Sequence, residues 1–433
     1  MIKKIISKYK LKKINVGVVG LGYVGLPLIS RLIQAKINVF GIDNDKKKIN
    51  LLKKGKKYIK TTSLTTLKYF KKNNKKISSN YKLASLCDVI IICLPTPLKK
   101  DHKTPNMEYV FNCAKYLKKY LKNDQLIILE STVYPGATAE FQKKLLNKKF
   151  IIGKNIFIGY SPERENPGDR KFNYNNTPKV ISGYTKNCSK LVEILYKFFV
   201  KKTILVTKIE EAETSKLLEN LYRAVNIGLV NEMKIICDKL KIDIFNVINA
   251  AATKNFGFQK FLPGPGLGGH CIPIDPFYLS WISKKKGYDP KFIKLSGIIN
   301  SQIPRWTINK ILKNFKSKNI KLLLLGISYK KNVDDDRESP AYEFIKILKN
   351  KNIKYDYSDP YFPKLRKGRN INDNKKSIIL NKTNLQKYDA SILLADHDCF
   401  NYKFIAQHSK LIIDTRGKYK EAKFRYLNNI FFY

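Results

Sequence analysis

The chain has 433 residues, of which 43% are apolar and 27% charged, the balance of an ordinary globular protein with room for about three domains. Its formal net charge is +50 at pH 7, but the lysines are spread along the whole sequence without aromatic-interleaved basic stripes. We therefore expect solvated lysine faces and no specific nucleic-acid site, while a charge-driven polyanion-binding protein stays open as an alternative.

The seven cysteines are scattered without a CxxC pair, which predicts reduced thiols and neither a disulfide framework nor a zinc site. His270 adjoins Cys271, but further ligands at metal-binding spacing are missing, so we expect no metal. The basic N-terminus lacks the apolar segment of a signal peptide, and no apolar run approaches the length of a membrane span. The sequence thus predicts a soluble, cytoplasmic protein without a membrane partner.

An apolar strand, a glycine loop, an amphipathic helix and a second strand follow one another near the N-terminus. In the loop GLGYVG, Gly20 suits a tight turn, Gly22 lets backbone approach a pyrophosphate, and Gly25 lets the helix pack on the strand. The helix N-terminus would then offer N–H groups to the phosphates. Asp43 ends the second strand, where it would bond the adenosine ribose and repel a 2′-phosphate. The order predicts a dinucleotide site that prefers NAD to NADP.

Further β/α units follow this first one. Their apolar strand patterns cover residues 88–94, 125–130 and 156–159. In open α/β sheets, the residues just after the strand carboxyl ends line the ligand crevice. Thr96, Thr132 and Glu163 follow these strands, so we predict that they project toward the nicotinamide. For Thr96, an ordinary turn residue is an equally good interpretation at this point.

From Lys208 to about Trp306 the apolar periodicity changes to that of helices. Lys216 and Asn220 are four residues apart, which puts them on one face of a long helix. This polar pair could lie on the surface or point into a site, and the spacing alone favours the surface. Because helical spacers between α/β halves often supply dimer surfaces, we expect a homodimer.

The stretch FLPGPGLGGHCIPIDPFY spans residues 261–278, and its segment 263–269 is proline or glycine everywhere except at Leu267. Such a run cannot form helix or strand. A costly irregular loop placed directly before Cys271 suggests backbone amides gathered around a thiol, with Asp275 close by. A tight turn leading to a buried cysteine is the alternative.

A second α/β unit begins at Lys321 with the strand pattern KLLLLGISYK and lacks a GxGxxG loop. It should therefore bind something other than the pyrophosphate of the dinucleotide. The sequence predicts an α/β fold of two doubly wound Rossmann-like domains joined by a central helical domain. The expected boundaries are 1–207 for NAD binding, 208–317 for the helical domain and 318–433 for the second α/β domain.

In these motifs the chain resembles the UDP-glucose/GDP-mannose dehydrogenase family over essentially its full length. The matching stretches are VVGLGYVGLPL, ESTVYPG, SPERENPGD, GPGLGGHCIPIDP and GISYKKNVDDDRESP. The SPERENPGD and GGHCIPIDP forms are similar to the branch that acts on UDP-N-acetylhexosamines. In the UDP-glucose branch a lysine usually precedes the aspartate of the cysteine loop, where this chain has Ile274.

The resemblance implies NAD-dependent, four-electron oxidation of the C6 alcohol of UDP-N-acetylglucosamine or UDP-N-acetylgalactosamine to the uronic acid, for surface polysaccharide precursors. UDP-glucose and UDP-N-acetylmannosamine are the alternative substrates. The catalytic residues that it implies are Cys271 as nucleophile, Asp275 as base, Lys216 and Asn220 for the oxyanion, and Glu163 with Thr132 for the water. The implied cofactor-binding residues are Gly20, Gly22, Tyr23, Val24, Gly25, Asp43, Thr96, Thr132 and Arg337. The implied substrate-binding residues are Glu163, Arg164, Lys216, Asn220, Gly268, Lys330 and Arg416.

Overall fold

The chain folds into two compact units. The computed structural model describes residues 2–60, 62–99, 101, 104–164, 176–269, 272, 274–317, 319–366, 373–421, 424 and 427–433. The first unit contains Met1–Glu219 and Phe277–Tyr288, and the second contains Asn220–Pro276 and Asp289–Tyr433. The predicted boundaries of three functional domains, after residues 207 and 317, remain a prediction.

The first unit is built on an eight-stranded sheet. Its strands are β1 Asn15–Val19, β2 Asn38–Ile42, β3 Ile77–Ser78, β4 Val89–Ile92, β5 Gln125–Leu129, β6 Ile156–Tyr160, β7 Lys179–Gly183 and β8 Thr203–Leu205. They are ordered β3-β2-β1-β4-β5-β6-β7-β8, and all neighbours pair in parallel except β6 and β7, which are antiparallel. The strand order reverses at β1, between β2 and β4, which is where an open α/β sheet forms its ligand crevice.

Helices accompany these strands along the chain. They are α1 Ile2–Lys10, α2 Gly25–Gln34, α3 Lys46–Lys53, α4 Leu64–Lys72, α5 Glu108–Leu117, α6 Ala137–Leu145 and α7 Lys186–Tyr196. The sequence analysis did not predict α1. Ile5 and Tyr9 of this helix are four residues apart and both buried in the core of the first unit, and Lys8 Nζ lies 2.6 Å from Asp88 Oδ1. One apolar face therefore turns this basic segment into a packed amphipathic helix.

The second unit combines helices with a five-stranded parallel sheet. Helix α8 Ile209–Lys239 begins in the first unit and ends in the second, and α10 Asp275–Lys285 begins in the second and ends in the first. The other elements are α9 Ile244–Ala251, α11 Lys291–Leu312, β9 Lys321–Leu325, α12 Pro340–Asn350, β10 Lys354–Ser358, α13 Lys382–Gln386, β11 Ala390–Leu393, α14 Tyr402–His408, β12 Ile412–Asp414 and β13 Ile430–Phe432. The order β10-β9-β11-β12-β13 is doubly wound, and the predicted fold class is confirmed.

Candidate active site

The three glycines of the first loop have different surroundings. Gly20 has φ +94°, and a Cβ there would lie 2.5 Å from the carbonyl oxygen of Cys93. A Cβ on Gly25, the first residue of α2, would lie 1.9 Å from the carbonyl oxygen of Gly20. On Gly22, by contrast, a Cβ would meet no atom within 4 Å. Two glycines therefore serve the protein's own packing, while Gly22 leaves room for a pyrophosphate, which fits a dinucleotide.

The N-terminus of α2 adds to this fit. Its N-cap residue is Val24, whose side chain makes no capping hydrogen bond. The side chain of the cap residue therefore accepts no hydrogen bond from the first N–H groups of the helix. The positive end of the helix dipole favours phosphate oxygens at this position. Tyr23 and Val24, both half-buried, continue the loop beside Gly22.

Asp43 follows β2, and its buried carboxylate is held against the glycine loop. Its Oδ2 accepts a hydrogen bond from the N–H of Leu21 and its Oδ1 accepts one from the N–H of Asp45, each at 2.9 Å. Oδ1 keeps a further lone pair that can accept from a ribose hydroxyl. Lys48 Nζ lies 3.5 Å from Oδ2, so this lysine partly balances the charge that we expect to repel a 2′-phosphate.

The segments that follow β4 and β5 are joined by a hydrogen bond between the two predicted threonines, Thr96 and Thr132. Oγ1 of Thr96 donates to the carbonyl oxygen of Thr132 at 2.7 Å, and the backbone N–H of Leu94 donates to Oγ of Ser131 at 3.0 Å. The Tyr278 hydroxyl donates to the carbonyl oxygen of Thr96, whose side chain is buried. Thr96 is therefore a fixed, bonded residue at the sheet edge rather than an exposed turn residue.

The beginning of α8 is fastened to the same unit. Both oxygens of Glu213 accept backbone N–H groups at the start of α6, from Gly136 at 2.6 Å and from Thr138 at 2.8 Å. Lys216 lies one turn further along α8 and is half-buried. It makes no hydrogen bond or ion pair with the part of the chain that the structure describes. Its ammonium is thus available to an external oxygen.

Glu163 and Arg164 follow β6 and are both tied to the start of β7. Lys179 Nζ lies 3.6 Å from Glu163 Oε2. One guanidinium nitrogen of Arg164 donates to the carbonyl oxygen of Pro178 at 2.6 Å, and another lies 2.8 Å from Glu219 Oε1. The sequence analysis did not single out Lys179, because one more lysine carries no signal in a chain this rich in them.

In the second unit, Asn220 and Asp275 form a buried pair. Each is 3% exposed, and Nδ2 of Asn220 donates to Oδ2 of Asp275 at 2.5 Å. The spacing alone had favoured a surface position for Asn220, and this burial shows that interpretation to be wrong. Cys271, the predicted nucleophile four residues before Asp275, lies outside the described residues.

The loop before Cys271 is packed against the start of the second α/β part. A Cβ on Gly268 would lie 2.9 Å from Cβ of Tyr329, and the N–H of Gly269 donates to the carbonyl oxygen of Arg337 at 3.1 Å. The Arg337 guanidinium pairs with both oxygens of Asp335 through three hydrogen bonds, at 2.9 and 3.1 Å from Nε and at 2.6 Å from a terminal nitrogen. These glycines are required because other residues approach the backbone closely.

The structure brings Arg416 and Lys330 to the same tyrosine. The guanidinium of Arg416, which is half-buried, donates to the carbonyl oxygens of Leu394 at 2.8 Å and of Tyr329 at 3.4 Å. Lys330 Nζ lies 5.8 Å from the centre of the Tyr329 ring. Two predicted substrate-binding cations thus lie at the carboxyl edge of the second sheet, after β9 and β12.

Lys234 is a further buried cation that the sequence analysis missed. It is 4% exposed, its Nζ donates to the carbonyl oxygen of Gly264 at 3.4 Å, and it lies 5.2 Å from the centre of the Trp306 ring. Burial, together with Arg416 nearby, lowers the pKa of Lys234 to about 7. Oδ1 of Asn231 accepts from the N–H of Gly264 at 3.0 Å. The spacing of Asn231 and Lys234, on one face of α8, was the available signal.

Two negative findings complete the description. Among the described residues, no group of three or more His, Cys, Asp or Glu side chains is arranged to hold a metal ion. Within the same residues, none of the helices has the length and apolar character needed to cross a bilayer.

Sequence models of one family match most of the chain. The family is described as the UDP-glucose/GDP-mannose dehydrogenase family. Its NAD binding domain matches residues 14–200, its central domain residues 210–302, and its UDP binding domain residues 323–421.

Individual relatives resemble the chain over most of its length. A UDP-N-acetyl-D-mannosamine dehydrogenase of Methanococcus vannielii is 33% identical, over 95% of this chain and 94% of the relative. A UDP-N-acetyl-D-glucosamine 6-dehydrogenase of Pseudomonas aeruginosa is 35% identical, over 81% and 84%. Among solved structures, a UDP-D-ManNAc dehydrogenase of Pyrococcus horikoshii superposes with a TM-score of 0.82 at 28% identity, covering 93% of this chain and 95% of the other.

Proposed function

The chain belongs to the UDP-glucose/GDP-mannose dehydrogenase family and is an NAD-dependent nucleotide-sugar dehydrogenase, and we propose that it oxidises the C6 alcohol of a UDP-N-acetylhexosamine to a carboxylate. The observation that carries the proposal is the buried Asn220–Asp275 pair, which puts an amide donor beside a carboxylate four residues after Cys271. Relatives named for UDP-N-acetylhexosamines, at 33% and 35% identity, support this class of sugar.

The first half of the reaction is an alcohol oxidation. NAD, when bound at the glycine loop, supplies the hydride acceptor for each of the two oxidations. Asp275, through a water molecule, takes the proton of the C6 hydroxyl. Asn220 and Lys216 donate to the oxygen on which negative charge develops. This assignment explains why Lys216 makes no hydrogen bond or ion pair with the described residues.

The second half requires a covalent step on Cys271. Its thiolate adds to the aldehyde carbon, and the resulting thiohemiacetal gives up a second hydride to leave a thioester. A water oxygen then bonds to the thioester carbonyl carbon, the C–S bond breaks, and the thiolate leaves. Glu163, or Asp275, accepts the water proton, while Thr132 orients the water. The bond from Thr96 to Thr132 supports this placement.

The remaining predicted residues hold the two ligands. Lys330 and Arg416 bind the diphosphate of the nucleotide sugar, a suitable role for a planar guanidinium. Gly268 and Arg164 lie along the sugar. Arg337 reaches the cofactor, a role that the resemblance of the GISYKKNVDDDRESP motif supports.

Product chemistry suggests the destination of the sugar. The product keeps UDP as a leaving group on the anomeric carbon and gains a carboxylate at C6. A glycosyl transfer reaction can therefore consume it directly as an activated, acidic sugar. We propose that it serves as a precursor of a surface polysaccharide.

Two further parts of the proposal concern assembly and compartment. On α8, Tyr222, Leu229 and Ile236 are seven residues apart, hence on one face, and are 49%, 55% and 44% exposed. This apolar face supports a homodimer formed through the central helical domain, residues 208–317. The six cysteines within the described residues are all free, which supports a reducing, cytoplasmic compartment.

A substrate panel tests the proposal. Purified protein with NAD is given UDP-N-acetylglucosamine, UDP-N-acetylgalactosamine, UDP-N-acetylmannosamine or UDP-glucose, and NADH absorbance is followed. We expect one N-acetylhexosamine to be oxidised about tenfold or more above UDP-glucose, with two NADH formed for each sugar. The ratio between the gluco and manno sugars decides the configuration at C2. UDP-glucose winning by the same factor would assign the chain to the other branch.

A further inference from the structure

The one antiparallel strand pair in the first sheet brings an unexpected lysine to the ligand edge. Strands β5 and β6 run parallel, so their carboxyl ends, with Glu130 and Glu163 just beyond, lie at one edge. Strand β7 runs the other way beside β6, so its first residue, Lys179, reaches the same edge. Lys179 Nζ contacts Glu130 Oε1 and lies 3.6 Å from Glu163 Oε2.

Glu130 is a buried carboxylate that bonds both Lys179 and Tyr196. Glu130 is 1% exposed and Lys179 is 2% exposed. One oxygen of Glu130 accepts from Lys179, and the other accepts from the Tyr196 hydroxyl at 2.8 Å. Burial raises the pKa of Glu130, and Lys179 opposes that shift. Burial also works against the charge of Lys179, but Glu130 and Glu163 outweigh it and raise its pKa. The buried lysine therefore stays a cation.

Glu163 is the more accessible carboxylate on this lysine, with 14% of its side chain exposed. Its backbone neighbour Arg164 is bound to the carbonyl oxygen of Pro178, the residue before Lys179. Two adjacent residues after β6, Glu163 and Arg164, are therefore each joined to one of two adjacent residues at the start of β7. Such a double connection limits the positions that the Glu163 carboxylate can take.

We propose that Lys179 is a positioning residue that holds Glu163 in place as an ionised base for the hydrolytic step. The inference rests on the proposed function, since it deepens the role given there to Glu163. Removing the lysine takes away a cation that lies between Glu163 and the second carboxylate, Glu130, and this disfavours the charged form of Glu163. Among the residues that the structure describes, Cys93, just beyond β4, and Tyr196 on α7 are further titratable groups near Lys179.

The test compares variants that do not leave a buried charge alone. Lys179→Met by itself strands Glu130 without a cation and could unfold the protein. The double variant Glu130→Gln/Lys179→Met removes both buried charges, and Glu130→Gln alone is the matched control that keeps Lys179 on Glu163. Lys179→Arg restores the cation in a different shape. Thermal unfolding of each variant verifies that it is folded.

The readout is the pH dependence of acid formation in a single turnover, with the first hydride transfer followed separately by NADH absorbance. In the double variant we expect the acidic limb of the hydrolysis rate to move up by about 1 to 3 pH units relative to Glu130→Gln, because a cation near a carboxylate lowers its pKa by about that much. Lys179→Arg should move it back toward the parent. The first hydride transfer should be unchanged.

Failure of the inference and failure of the proposed function give different results. If the parent enzyme oxidises a UDP-N-acetylhexosamine but the double variant and its control share one acidic limb, Lys179 is merely structural and the inference is overturned. If the parent oxidises no nucleotide sugar of the panel, the proposed function is lost and this inference with it.

Discussion

The two glycine-rich loops of the molecule look alike in sequence but differ in what surrounds them. In the first loop, residues 20–25, a Cβ on Gly22 would project into open space. In the second loop, residues 263–269, a Cβ on Gly268 would lie 2.8 Å from Cδ of Pro340, and one on Gly269 would lie 2.8 Å from Cε2 of Tyr329. Glycine thus leaves open space at Gly22 of the first loop, whereas at Gly268 and Gly269 of the second loop it makes room for the protein's own side chains.

The largest expected effect concerns Cys271, which follows the second loop. We interpret the packing of this loop as holding Cys271 in position. Replacing Cys271 by Ala should lower overall turnover by orders of magnitude, because the covalent route to the carboxylate is lost. With enzyme in excess, NADH should stop near one for each sugar or below, whereas the parent approaches two. Cys399→Ala, at an exposed cysteine, is the control. A Cys271→Ala enzyme that forms uronic acid at a near-normal rate would leave this loop as a turn around a buried thiol.

The next effect concerns stability and tests the packing of the second loop directly. Gly268→Ala should lower the free energy of unfolding by about 1 to 3 kcal/mol, because the added methyl group meets ring and side-chain carbons of Pro340 and Tyr329. Denaturant titration measures it. Gly264→Ala is the matched control in the same loop, since its Cβ would meet only a terminal nitrogen of Arg416, at 3.3 Å. Equal decreases in the free energy of unfolding for the two variants would contradict the close packing inferred at Gly268.

In the first loop, an added methyl group should affect ligand binding and not stability. Gly22→Ala should leave the free energy of unfolding within about 0.5 kcal/mol of the parent, because the methyl group enters open space. It should weaken NAD binding by roughly tenfold, or about 1.4 kcal/mol, because the methyl group occupies the place of the pyrophosphate. Calorimetric titration with NAD measures the loss. Unchanged NAD affinity would show that the open space at Gly22 is not the phosphate site.

The smallest expected effect refines the first loop further. The parent should prefer NAD to NADP. Asp43→Ala should lower that preference by about fivefold, because losing a charge interaction of about 1 kcal/mol changes the ratio by that factor. Ratios of kcat/KM for the two cofactors give the measurement. Lys48→Ala is the complementary control, since it removes the cation beside Asp43 and should widen the preference. Equal rates with both cofactors in the parent would overturn the assignment.

The features that sequence predicted well are those encoded within a short stretch. Apolar strand runs such as 89–92 and 126–129 are fully buried, as their composition indicates, and the GLGYVG loop carries its geometry in adjacent residues. Helix α1 was missed because its apolar face is narrow and the segment reads as a run of lysines. The resemblance of the motifs supplied the family and cofactor, and both predictions are confirmed.

The rest depends on how distant segments meet. Lys179 becomes important because β7 reverses direction, and nothing in its own stretch predicts an antiparallel pairing with β6. Lys234 and Arg416 approach Gly264 from segments about 180 residues apart in the chain, which no spacing rule can detect. The site residues proposed from resemblance remain predictions, and the experiments above address them.

The Asn220–Asp275 hydrogen bond has a consequence for the order of events during folding. It joins residues 55 positions apart, so the chain between them must close a long loop before the bond can form. Secondary structure such as α8 can appear sooner, because helix formation is local. In refolding from denaturant, far-ultraviolet circular dichroism should therefore return before catalytic activity does. On the proposed mechanism, the reaction requires that Asn220 and Asp275 have met, so we expect a partly folded chain to carry the helices without the activity.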